Sequence, residues 1–278
     1  LAVAQRGEIC MSGSSERGSV RLLDPDSLEQ VGKLGPFAGN VTCMAFSGTG
    51  EELVLATDEF ELQIWSLSTE RRRKRLDGGS FRMSVRSIAC SPDGTRFVTG
   101  AVENEGMDFH DALNLWSLKT GACLGSETVA GRQIAFAPDG SCVHLVDGPA
   151  VAVFDLKHSV ERRTQVLDTY PMALACSPLT GGVAYESGGQ VWLIEKGRSK
   201  KLVRSPVDVW CLAFSPTGHT LAGGCKDGVV RIWELGTGKV RTELRGHEEP
   251  VSELAFAPDA RFLVSCSEDG ASKWSISA

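Results

Sequence analysis

Residues 211–235 read CLAFSPTGHTLAGGCKDGVVRIWEL, and residues 253–276 read ELAFAPDARFLVSCSEDGASKWSI. The two stretches share one grammar. A short alternating strand ends in Phe, and a turn of the Ser-Pro-Asp-Gly kind follows. A second strand leads to another turn, and a third strand ends near Trp. Alternation with period two marks strands, and Gly, Pro and Asp mark turns. The pattern recurs in SIACSPDGTRFVTG (87–100), QIAFAPDGSCVHLV (133–146), LACSPLTGGVAYES (174–187) and CMAFSGTGEELVLAT (43–57). LAVAQRGEICMSG (1–13) fits at the same spacing, which makes seven units.

The large residue of each third strand falls at Leu23, Trp65, Trp116, Phe154, Ile194, Trp233 and Trp274. The steps are about 40 residues, with a longer one from Trp65 to Trp116, and a period of that size is the mark of a repeat architecture. A fourth segment links each unit to the next, most clearly GKVRTELRG (238–246). Four short strands cannot bury their own faces, but sheets stacked radially can. Helical periodicity is absent. The expected fold is therefore all-β: a seven-bladed β-propeller of four-stranded antiparallel blades, the last lacking its outer strand within this chain. The whole of 1–278 reads as one domain, with blades at about 1–34, 35–77, 78–125, 126–168, 169–204, 205–245 and 246–278.

The composition is that of a globular protein, 42% hydrophobic and 23% charged, and 31 glycines fit many tight turns. A net charge of -6 argues against a bulk nucleic-acid binder. Nine scattered cysteines form no CxxC pair, so neither a zinc knuckle nor a dithiol redox site is expected. Most sit in apolar runs and read as small buried hydrophobes in a reducing, intracellular compartment, cytoplasmic or nuclear. No apolar run is long enough to span a membrane. The chain opens in strand-like sequence and reads as a fragment of a longer protein.

Gly246-His247, the turn after Phe256, Asp269-Gly270 and the IWE and LWS strand ends resemble WD repeats. The resemblance covers the whole chain. It implies a propeller that serves as a platform for protein partners. It also implies a hydrogen-bonded set in each blade, made of a His, a second-strand Ser or Thr, a turn Asp and the third-strand Trp. Buried, these groups must be paired. Only the last unit offers all four types: His247, Ser265, Asp269 and Trp274. The sixth keeps Asp227 and Trp233, with Ser205 and Gly223 at the other positions. The third keeps Thr99 and Trp116, with Phe81 at the His position. The second keeps Trp65, with Phe37 there. Apolar packing is expected to hold most blades. Asp227 to Trp233 is six residues, whereas Asp269 to Trp274 is five. Either the last turn is shorter, or Trp274 faces the other way, since one residue reverses a strand's face.

No HExxH, GxSxG or Walker motif occurs around His110, His144, His158, His219 or His247. No catalytic residue, metal or cofactor is expected. The basic run Arg71, Arg72, Arg73, Lys74 and Arg75 aligns with an outer edge strand. It can guard that edge, grip an acidic or phosphate-bearing partner, or serve in nuclear targeting. Residues 102–112 read as a lengthened loop, which can be a solvent loop, a partner contact or a cation site.

The position four before each first-strand end holds Thr42, Arg86, Arg132, Met172, Trp210 and Ser252. By the resemblance this position lies near the channel mouth. Arg86, Arg132, Met172 and Trp210 are the candidate partner-binding residues, or they pack the mouth. The ligand this predicts is a protein or short peptide, acidic or phosphorylated, with an apolar residue. Other domains of the same longer chain are further expected partners. The favoured function is a non-catalytic interaction scaffold. A polyanion binder using the basic rim and mouth arginines, and a propeller-hosted enzyme or metal-binding domain, are the rivals. Residues before Leu1 are expected to complete the last blade, with a strand from a partner as the alternative.

Overall fold

The computed structural model describes residues 2–3, 9–11, 18–24, 26–76, 82–105, 108–129, 131–157, 160–166, 170–195 and 198–276. Phe81, Met107 and His158 lie outside them. Every regular element among the described residues is a β-strand. The chain divides into two compact units, Leu1–Phe136 and Ala137–Ala278.

The first unit holds three blades. Their strands are Ala2–Val3, Ile9–Met11, Val20–Leu23 and Gln30–Leu34; Val41–Phe46, Glu52–Thr57, Leu62–Ser66 and Arg71–Leu76; and Arg82–Cys90, Arg96–Glu105, Asp108–Ser117 and Cys123–Glu127. Each sheet follows sequence order, so each blade is an antiparallel meander. The unit ends on Ile134–Phe136, the first strand of the fourth blade; Cys142–Asp147, Ala150–Asp155 and Val160–Val166 complete that sheet's order. In the second unit follow Leu174–Cys176, Val183–Ser187, Gln190–Glu195 and Arg198–Arg204, then Val209–Phe214, Thr220–Cys225, Val230–Glu234 and Val240–Leu244.

The expectation of seven blades is corrected here. Six sheets have the four strands of a blade. The last repeat, Glu253–Phe256, Phe262–Ser267 and Gly270–Ser275, forms a three-stranded sheet. Gly270–Ser275 pairs with Phe262–Ser267 on one side, and among the described residues no strand pairs with its other edge. A second correction concerns residues 102–112. They continue the hairpin of the third blade: Val102 pairs with Asp111, Glu103 with His110 and Glu105 with Asp108. The extra length prolongs the ladder, so its backbone groups pair with each other instead of with water.

Burial explains the sequence texture. Leu53, Val54, Leu55 and Ala56 are all fully buried, although neighbours in a strand point to opposite faces. Both faces of a blade are covered, so the second strands read as continuous apolar runs. The core is a series of seams between successive blades. In the first unit, Val54, Ile64 and Leu76 of the second blade pack with Val85, Phe97 and Trp116 of the third. In the second unit, Ala184 and Leu193 pack with Leu212, Leu221 and Trp233. The innermost strands pack in series within each unit, Val41–Phe46 against Arg82–Cys90 and Leu174–Cys176 against Val209–Phe214.

Candidate functional site

Three of the repeat-equivalent positions, Thr42, Arg86 and Trp210, share a backbone feature. Val41 pairs with Thr57 and Cys43 with Ala56, so Thr42 is an extra residue in the ladder. Arg86 is skipped in the same way between Val85 and Ser87. Trp210 is skipped between Val209 and Cys211. A β-bulge leaves its extra residue unpaired and re-aims its side chain. Arg86, midway along Arg82–Cys90, and Trp210, the second residue of Val209–Phe214, are both exposed. Arg132, Met172 and Ser252 occupy the same position just before shorter first strands, and all three are exposed.

Within the first unit, two of these positions are tied together. Ser87, next to Arg86, donates its hydroxyl to the carbonyl of Gly131, next to Arg132, at 2.7 Å. Two exposed guanidinium groups thus spring from backbone joined by one hydrogen bond. Such groups suit planar anions, which accept two parallel N–H bonds. In the second unit, Met172 is 52% and Trp210 36% exposed, large fractions for apolar side chains.

The basic strand is less free than its sequence implies. Arg73 is the bulge residue of the fourth strand, skipped between Arg72 and Lys74. Its guanidinium donates to the carbonyls of Leu118 at 3.0 Å and Lys119 at 2.7 Å, and pairs with Glu52. Lys74 donates to the Thr120 carbonyl, and Arg75 meets Glu61 at 3.1 Å. Three of the five cations therefore hold the second blade to itself and to the third. Arg71 and Arg72 are exposed.

The hydrogen-bonded set is complete in the last sheet. His247 Nδ1 lies 2.6 Å from Asp269 Oδ1, and Nε2 lies 2.6 Å from Ser265 Oγ. Trp274 donates its indole N–H to the same Oγ at 2.7 Å. The second carboxylate oxygen of Asp269 accepts the Glu248 N–H at 2.7 Å. Burial pushes the Asp269 carboxyl up, but the Glu248 N–H and His247 outweigh it, and its pKa lies below the usual value. One proton arrangement satisfies every partner. Trp donates to Ser, Ser donates to Nε2, and Nδ1–H donates to the carboxylate. The shorter turn makes this possible. Ser267 pairs with Gly270, whose φ of 130° favours glycine, and Trp274 lies opposite Leu263.

The other blades solve the problem differently. In the third, Trp116 donates to Thr99 Oγ1 at 3.0 Å. In the second, Trp65 donates to Gln63 at 2.8 Å, Gln63 donates to Glu61 at 2.6 Å, and Glu61 pairs with Arg75. Sequence reasoning missed this relay. Its signal was two polar residues, Glu61 and Gln63, on the face that carries Trp65. In the sixth, Asp227 does not serve such a set: Arg231 takes both its oxygens, at 3.0 and 2.8 Å. A Cβ on Gly223 would lie 2.4 Å from the Trp233 ring, so glycine there makes room for the indole.

Among the described residues, no group of three or more His, Cys, Asp or Glu is placed to hold a metal ion. No helix is long and apolar enough to cross a membrane. His144 is buried, and burial lowers its pKa to about 4, with Asp139 opposing.

Antiparallel meanders stacked through their innermost strands, with a His–Ser–Trp–Asp set in the last, define a protein of propeller blades. The particular repeat follows from comparison. The family model described as "WD domain, G-beta repeat" matches residues 200–234 and 238–273, so two stretches of the chain match that repeat. It is similar to "Periodic tryptophan protein 2 homolog" of Dictyostelium discoideum, 26% identical over 93% of this chain and 24% of that protein. It is also similar to "SIR4-interacting protein SIF2" of Saccharomyces cerevisiae, 24% identical over 87% of this chain and 40% of that protein. A chain in the crystal structure of the mitotic checkpoint complex matches with a TM-score of 0.82 and 16% identity, covering 100% of this chain and 86% of that one. That likeness concerns the fold alone. The chain spans about a quarter of the length of the first curated relatives it matches, 24% and 26%.

Proposed function

We propose that this chain is a non-catalytic interaction scaffold that holds protein or peptide segments at exposed positions within or just before its first strands. In this reading Arg86 and Arg132 take an acidic or phosphorylated group. The observation that carries it is the bulge at Arg86 joined to the neighbour of Arg132 by the 2.7 Å Ser87–Gly131 hydrogen bond. A bulge re-aims its extra side chain, and at Arg86 that side chain is exposed. Two neighbouring guanidinium groups offer an anion bidentate bonds. The printed name of the yeast relative, a SIR4-interacting protein, fits a role in binding other proteins. Other domains of a longer chain are further partners in this reading. The cysteines from Cys43 to Cys266 are free thiols, which suits an intracellular setting. Engagement of Arg73, Lys74 and Arg75 leaves little of the basic strand for a polyanion.

The test is affinity capture from cell extract, read by mass spectrometry, with Arg86→Glu and Arg132→Glu together. The reading requires that captured partners be lost while the thermal midpoint holds. Undiminished capture by the folded variant overturns it.

A further inference from the structure

The second unit presents a different chemistry at the same strand positions. Met172 and Trp210 stand at the starts of two first strands that pack against each other. Tyr170, two residues upstream of Met172, is 62% exposed. Asp208, two residues before Trp210, is exposed too. Glu186 lies beneath them, 2% exposed. It accepts the Gly189 N–H at 2.7 Å, and its own N–H donates to Ala173, next to Met172, at 3.1 Å. Burial raises the Glu186 carboxyl, backbone N–H groups of Gly189 and Met172 lower it, and the Asp208 charge adds to the rise. The net shift is upward, and burial is its main cause. Exposed Lys226 donates its backbone N–H to the Asp208 carbonyl at 3.0 Å.

Exposed aromatic and thioether side chains beside the exposed carboxylate of Asp208 suit a cationic side chain. An aromatic face attracts a cation, an apolar surface takes its alkyl stem, and a carboxylate accepts its N–H groups. We infer that Tyr170, Met172, Trp210 and Asp208 form a docking surface for a partner protein segment that carries an arginine or lysine side chain. The inference rests on the reading that these first-strand positions bind partners, and it assigns to this unit the opposite charge preference from Arg86 and Arg132. The cation lies over Trp210 and pairs with Asp208.

The experiment follows the indole N–H resonances of the 15N-labelled chain, with the Trp210 peak identified by its absence in Trp210→Ala. The probes are capped hexapeptides Gly-Ser-X-Leu-Ser-Gly with X as Arg, Glu or Ala. The Arg peptide is expected to shift the Trp210 peak saturably, and the Glu and Ala peptides to leave it in place. Asp208→Asn should weaken the Arg peptide about fivefold to tenfold, and Lys226→Ala should tighten it about twofold to fivefold, the range of one charge contact near a surface. An equal response to Ala, or unchanged affinity in folded Asp208→Asn, overturns the inference. None of these variants touches Arg86 or Arg132. Loss of capture in those variants alone, with no response here, would leave the scaffold reading standing and sink this one. The opposite pattern would do the reverse.

Discussion

The Trp274 indole N–H lies 2.7 Å from Ser265 Oγ, and the same oxygen lies 2.6 Å from His247 Nε2. Ser265 is fully buried and hydrogen-bonds two side chains whose rings also meet edge to face, with centroids 6.1 Å apart. Ser265→Ala strands both at once. Unfolding free energy should fall by about 2–3 kcal/mol, the usual penalty for leaving buried polar groups unpaired. Ser265→Thr should keep most of the stability, because Thr99 fills the matching role for Trp116. Urea titration of the two variants checks both values. Equal losses would show that packing, not the hydroxyl, holds this sheet.

Gly223→Ser makes the sixth blade look more like the last one, and should harm it. The new Cβ would meet the Trp233 ring at 2.4 Å, and that indole is fully buried. Overpacking of this kind costs about 1–3 kcal/mol. A lowered thermal midpoint is the expected reading, and a gain would mean that Trp233 has room to move.

The relay in the second blade should respond unequally along its length. Gln63→Leu removes the acceptor of the Trp65 N–H and the donor to buried Glu61. The loss should be about 2 kcal/mol or more. Arg75→Ala removes a half-exposed cation and should cost less than about 1 kcal/mol. The order of the two in chemical denaturation is the test.

Stability should decline on mild acidification. His144 has an ordinary pKa of 6.5 when unfolded and about 4 in the fold, lowered by burial. Between those values the unfolded chain binds a proton that the folded chain refuses. Stability is therefore full above 6.5 and falls as pH drops to about 4, by up to about 3 kcal/mol from this group. Asp269 acts lower down. Its folded pKa is depressed below 3.8, so its contribution persists above that value and is lost as pH falls through the folded one. Denaturation at pH 7.5, 5.5 and 4.5 should show the first decline, and His144→Gln should flatten it.

The repeat was legible in the sequence because its cause is local. Turn residues at fixed offsets and period-two strands place four strands per repeat without any long-range information. Trp65, Trp116, Trp233 and Trp274 mark the third strands directly. The partners of those indoles were partly legible. Thr99 and Ser265 stood where the repeat pattern puts them, but Gln63 did not, and Asp227 answers to Arg231. A side-chain partner depends on which rotamer reaches first, and sequence spacing does not encode that. The hairpin at 102–112 was misread as a loop, because its polar residues give no apolar alternation to betray pairing.

Trp274 shows the division most plainly. The sequence by itself determined that a strand runs there, and that His247, Ser265 and Asp269 were available to it. It left the direction of the ring open, since one residue of turn length reverses a strand's face. Only the tertiary structure decided that. Gly270 adopts a φ of 130°, the turn closes one residue early, and the ladder sets Trp274 opposite Leu263 with its N–H on Ser265. The same holds for Arg86 and Trp210, whose exposure comes from bulges that exist only once a second strand has paired around them.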